Sequence, residues 1–168
     1  MADRTLTHSK LVQFHNDIAT AHNGINGFYR FNIAELQNQF RSGIGKPALL
    51  LESYSAQIEE NQNNTTNFNS KDMSILIIDF AGKADDYNKQ EEVLDRLENV
   101  VLDVISYLKK EHKNRDSILF GMLEANSFSY EKVGPLFDNM HGWNLLYRLK
   151  NHEPMCFNPD KWTFTEGA

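Results

Sequence analysis

Between Asp85 and Lys113 the sequence carries an apolar stripe that suits only one kind of local structure. Val93, Leu94, Leu97, Val100, Val101, Val104, Ile105 and Leu108 recur at helical spacing, and the subset Leu94, Leu97, Val101, Val104, Leu108 alternates threes and fours. In a helix those positions share one face, whereas in a strand they would scatter over both. Asp85, Asp86, Glu91 and Glu92 stand near the start and Lys109, Lys110 and Lys113 near the end, which complements the helix macrodipole. The stripe covers about two heptads, short of the three or four a coiled coil needs. The helix is therefore expected to lie across a sheet. Fully burying eight such side chains contributes on the order of 12–24 kcal/mol before conformational entropy is subtracted, enough to anchor a fold.

Around this helix the pattern alternates between types. Leu11, Phe14, Ile18 and His22 predict an N-terminal helix with Thr5 or Thr7 as cap and Asn23-Gly24 as its end. Asn32 to Arg41 predicts a second, shorter helix, and Phe28-Tyr29-Arg30-Phe31 before it reads as extended. Pro47 to Ile58 and Met73 to Ala81 read as two strands, joined by the polar stretch Glu59 to Asn69, and most simply pair antiparallel. After the long helix, Ser117 to Tyr130 predicts at least one strand ending near Glu131, with Gly134-Pro135 breaking it. Gly142 to Leu149 gives another strand, with Trp143, Leu145, Tyr147 and Leu149 on one face. The tail from Pro154 suits a short edge strand or an irregular arm. The expected fold is a single α+β domain over residues 1–168: a mainly antiparallel sheet packed against one long helix, with one or two N-terminal helices.

Composition narrows the function classes. The 168 residues suit one domain with a core of its own. A net charge of −6 argues against affinity for nucleic acid through counterion release. No apolar run approaches the ~20 residues of a membrane helix. The start Met1-Ala2-Asp3-Arg4 has no apolar signal region, so a cytoplasmic site of synthesis is expected. The single Cys156 excludes an intrachain disulfide and a multi-cysteine zinc site.

No catalytic, metal or cofactor motif is complete. His8, His15 and His22 are seven apart, a rise of about 10 Å, too far for two imidazoles to hold one ion. They read as a helix flank or interface stripe. His152 and Cys156 are four apart but have Pro154 between them, which prevents a regular helix. Cys156 has no base or positive setting in the sequence to make it a nucleophile. Ser42-Gly43-Ile44-Gly45-Lys46 fails the phosphate-loop spacing and is followed by Pro47 where a Ser or Thr would hold magnesium. Asp85-Asp86 and Glu91-Glu92 are accounted for by the helix start. The sequons of Asn63-Asn64-Thr65-Thr66 carry meaning only in a secreted chain.

Aromatic residues crowd the last quarter of the chain: Phe128, Tyr130, Phe137, Trp143, Tyr147, Phe157, Trp162 and Phe164. Such residues pack sheets and also anchor protein–protein interfaces. Phe68, Phe137, Trp143 and Trp162 are the interface candidates.

The segment Val133-Gly134-Pro135-Leu136-Phe137-Asp138-Asn139-Met140-His141-Gly142-Trp143, the strand after it, and Asn158-Pro159-Asp160-Lys161-Trp162 carry a resemblance. They are similar to small proteins of phage-derived structural gene clusters in Bacteroidetes-type bacteria. The element order resembles the tail terminator and tail-completion family of tailed phages. The resemblance implies a non-enzymatic virion structural protein, a ring-forming subunit, hexameric in the family's manner, at the head–tail junction or tail end. It implies tail-tube and head-completion proteins as partners, location in the virion, and no cofactor. Two alternatives remain at this point: a small-ligand-binding or enzymatic α+β domain with a pocket between helix and sheet, and a bacterial protein-interaction module.

Overall fold

The computed structural model describes residues 6–30, 45–60, 66–153, 155 and 157–163. The short helix expected over Asn32 to Arg41 lies outside them. Helix α1 (His8–Ala21) starts on Thr7, whose Oγ1 accepts from the Lys10 amide at 3.3 Å. Helix α2 (Tyr87–Lys113) starts on Asp86, whose carboxylate accepts from the Lys89 amide at 3.1 Å. Both caps satisfy an amide left free by the first helical turn.

Among the described residues six strands form one sheet: β1 (Gly27–Arg30), β2 (Ala48–Leu51), β3 (Ser55–Glu60), β4 (Asn67–Phe80), β5 (Ser129–Leu136) and β6 (Met140–His152). The order is β1-β2-β4-β6-β5, and β3 lies on the same side of β4 as β2, along its first half. All pairs are antiparallel except β1 with β2, which run parallel. The coarse expectation of an α+β fold with a largely antiparallel sheet therefore stands.

The expectation of one long helix on that sheet needs revision, because the helices divide one face. α1 sits over β1 and β2, and α2 over β4 and β6. The main core joins Leu11, Phe14 and Ile18 of α1 and Leu97, Val101, Val104 and Leu108 of α2 to Leu49, Met73, Ile75, Ile77, Leu145 and Leu149 of the sheet. Strand alternation places Ala48, Leu50, Leu76, Ile78 and Met140 on the other face, where they form a second, smaller apolar cluster.

Several element boundaries also differ. The strand expected over Pro47 to Ile58 is two strands, interrupted at Glu52–Tyr54, each pairing with a different half of β4. Both ends of the polar stretch expected as a loop are strand: β3 reaches Glu60 and β4 begins at Asn67, while 61–65 lie outside the described residues. The strand expected over Ser117 to Tyr130 is mostly turns, with Gly121 at φ 69° and a single bridge from Leu123 to Leu149. β5 instead runs through Gly134-Pro135, with a register shift between Val133 and Leu136. An edge strand tolerates a proline that a central strand would not. The tail forms a 3-10 turn at Pro159–Lys161 and no strand among the described residues. At the centre, β4 and β6 approach closely: a Cβ on Gly142 would stand 2.0 Å from the Ile77 carbonyl oxygen.

Candidate interaction surface

Beyond Glu153, whose amide still donates to the Asn67 carbonyl at 3.0 Å, the described large apolar side chains face solvent. Met155 is 59% exposed, Phe157 67% and Trp162 60%. The Phe157 and Trp162 rings stack at 6.2 Å, and Asn158 caps the intervening turn by accepting from the Asp160 amide at 2.9 Å. The turn therefore presents a preformed aromatic pair, and an exposed aromatic pair of this kind is a common interface anchor.

The other interface candidates have different settings. Phe68, at the start of β4, is half-buried. Its ring meets His152 edge-on at 6.2 Å and lies under the Lys150 ammonium at 5.1 Å. Trp143 is half-buried against the main core, donates from Nε1 to the Leu94 carbonyl at 2.9 Å, and takes Tyr130 edge-on at 5.4 Å. Those contacts tie the sheet to α2, so Trp143 serves the fold. Phe137 lies in the tight turn between β5 and β6, where Asp138 and Asn139 have positive φ; its side chain is outside the described set.

The outer face of the sheet is polar where the first half of β4 pairs with the second half of β6. Arg148 donates to Asp72 at 2.6 Å, with Glu124 3.7 Å away, and Lys150 bonds Glu59. These contacts hold the Glu59 carboxyl below its usual range, through Lys150 first and Ser70 second. Ser74 donates to Glu52 and lies 2.9 Å from Asn144 Oδ1. A depression of ≈720 Å³ runs beside Asp72, Ser74, Ser127 and Arg148. Among the described lining residues Arg148 is flanked by the carboxylates of Asp72 and Glu124, which leaves little positive charge to attract an anion.

A second cleft, ≈780 Å³, opens between α1 and the carboxyl ends of β1 and β2. His8, Gln13, Asn16, Arg30 and Glu52 bring polar groups to it, beside Phe28 and Leu51. This volume lies in the range of small-ligand sites. His8 is exposed and packs on the Tyr54 ring at 5.8 Å.

The three histidines of α1 do not act together, which revises the reading of a single stripe. His22 faces Asp103 at 3.3 Å, and its Nδ1 accepts from the Gly24 amide at 3.0 Å. His15 is fully buried, with Nδ1 2.6 Å from the Leu11 carbonyl and Nε2 bonded to the Tyr147 hydroxyl. Burial lowers its pKa to about 4 and raises that of Tyr147 well above the usual phenol. A neutral imidazole donating at Nδ1 and accepting at Nε2 satisfies both contacts. This couple joins α1 to β6, and nothing in the local sequence around His15 announces a partner 132 residues away. Buried His141 has Nε2 3.0 Å from Asn139 Oδ1, while its Nδ1 has no hydrogen-bond partner.

Among the described residues no group of three or more His, Cys, Asp or Glu is placed to hold a metal ion, and no helix is long and apolar enough to cross a membrane. No protein-family model matches the chain, and comparison with curated proteins finds no match.

Proposed function

We propose that this chain is a non-enzymatic virion structural protein, a ring-forming subunit at the head–tail junction or tail end of a tailed phage. The observation that carries the reading is the C-terminal arm, where Met155, Phe157 and Trp162 stand exposed beyond the last strand. A ring needs two different surfaces on each subunit, so that contacts run head to tail until they close. The arm supplies one surface. The other is a sheet edge: β5 at one side, or β3 and β1 at the other. The acidic net charge and the element order support the same role. The partners in this reading are further copies of the chain, the tail tube and head-completion proteins, and its place after synthesis in the cytoplasm is the virion. Incubating the purified chain with tail-tube polymer tests the reading by electron microscopy. Caps at one tube end are expected, and Phe157→Ala with Trp162→Ala should remove them. Bare tube ends with the unaltered chain would contradict it.

One observation favours a second reading, a small-ligand-binding domain. The cleft at the carboxyl ends of β1 and β2 gathers His8, Gln13, Asn16, Arg30 and Glu52 around an apolar floor. A metabolite-library thermal-shift screen that finds a ligand lost on Arg30→Ala would move the assignment there. A screen without any such ligand leaves the cleft a surface feature.

A further inference from the structure

The crest of α2, turned away from the sheet, carries charges that suit the helix macrodipole and whose spacing also makes the crest complementary to itself. Positions 91, 95, 98, 102, 106, 109 and 113 follow one another at spacings of three and four, so they line one side of the helix. That side lies opposite Val93, Leu97, Val101, Val104 and Leu108, which are buried. Glu91, Asp95, Lys109 and Lys113 are all exposed, and between them stands Leu102, 47% exposed. Glu91 and Lys113 lie equally far on either side of Leu102, and so do Asp95 and Lys109. The stripe is thus acidic on one side of its midpoint, basic on the other, and apolar at the centre.

We propose that the α2 crest is a self-association surface on which a second copy of this chain lays its own α2 antiparallel, about a two-fold axis at Leu102. That arrangement sets Glu91 against the partner's Lys113 and Asp95 against the partner's Lys109, with the two Leu102 side chains in contact. The symmetry doubles each pair, giving four attractive contacts. A parallel arrangement would oppose acid to acid and lysine to lysine, so the charges select the antiparallel one. The residues are free to do this. Glu91, Asp95 and Lys113 have no side-chain hydrogen bond or ion pair among the described residues, and Lys109 makes a single contact, over the Phe128 ring at 5.5 Å. The position-98 carboxylate is the exception, since it accepts from Tyr130 at 2.8 Å.

The contact differs in kind from the head-to-tail contact of a ring. It is isologous and closes on two copies. The stripe from 91 to 113 is about 33 Å long, and one helix pair of that length buries less than the ~1,600 Å² of a standard interface. The pair is therefore weak and governed by its charges, which salt screens. It suits a stored dimer that opens when the subunit joins a larger assembly.

Sedimentation equilibrium of the full chain at ~10 mM and ~500 mM salt tests this, because the Debye length falls from about 30 Å to a few ångströms between them. Twice the chain's mass is expected at low salt and a single chain at high salt. The double variants Glu91→Lys with Asp95→Lys, and Lys109→Glu with Lys113→Glu, should each remain folded by circular dichroism and lose the low-salt dimer. An equimolar mixture of the two should regain it, since every pair across the axis is then opposite in sign again. A single-chain mass for the unaltered protein at low salt would overturn the proposal. So would a dimer indifferent to either double variant, or a mixture that stays unassociated. Because the charge swap reads only the α2 contact, its failure leaves the ring reading untouched.

Discussion

On the face beneath the helices, β4 and β6 present Met73, Ile75, Ile77, Leu145, Tyr147 and Leu149, all almost fully buried. On the other face, away from the small apolar cluster of Leu76, Ile78 and Met140, the same strands present Ser70, Asp72, Ser74, Arg148 and Lys150, joined across the sheet by ion pairs and hydrogen bonds. The face beneath the helices derives its stability from apolar area removed from water. The polar half of the other face holds side chains in partly exposed pairs, and such pairs contribute little each. Substitutions under the helices should change whether the chain folds, and substitutions among the paired polar residues of the outer face should change its stability little.

The largest effect expected is at Leu97, fully buried where α2 crosses the sheet. Leu97→Ala should cost ~2–5 kcal/mol in urea unfolding. A loss near zero would break the contrast between the faces.

The next sharpens the contrast through pH. His15 has a pKa of about 4 when folded against 6.5 when exposed, so the unfolded chain takes up a proton that the folded chain refuses. Stability is then full above pH 6.5 and falls as the pH drops from 6.5 toward 4. The total is on the order of 3 kcal/mol, at about 1.4 kcal/mol per unit. His141, also lowered by burial, contributes in the same direction. His15→Gln should be less stable at pH 7 and lose most of the slope between pH 6.5 and 4. An unchanged slope would show that His15 is not the group responsible.

These two positions also mark what the sequence reveals and what it hides. Leu97 is legible because its neighbours repeat with the helix period, and the face of β6 is legible because Trp143, Leu145, Tyr147 and Leu149 alternate. His15 is not, since its place is set by Tyr147 on a strand at the far end of the chain. The first half of β4 is hidden for a related reason. Asn67 to Asp72 is too polar to read as strand, and it is extended because β3 and β6 supply backbone partners on both sides. Ile118-Leu119-Phe120 misleads in the opposite sense: an apolar run that suggests a strand sits in consecutive turns, with only Leu119 fully buried. Of the interface candidates, Trp162 stands exposed, whereas the Trp143 indole donates to the Leu94 carbonyl.

The smallest effect is expected on the outer face. Lys150→Ala removes the contacts to Glu59 and to the Phe68 ring, both partly exposed, and should cost no more than ~1 kcal/mol, less at high salt. A loss as large as that of Leu97→Ala would mean that the polar half of the outer face is as critical to the fold as the core.

The central claim, that the chain is an assembly subunit, is tested most directly by electron cryomicroscopy of intact particles whose genome encodes it. The account predicts a ring of density at the head-proximal end of the tail into which this α+β fold fits, with the Phe157 and Trp162 arm covered by the neighbouring subunit. Particles with a complete tail and no density for this chain would contradict it.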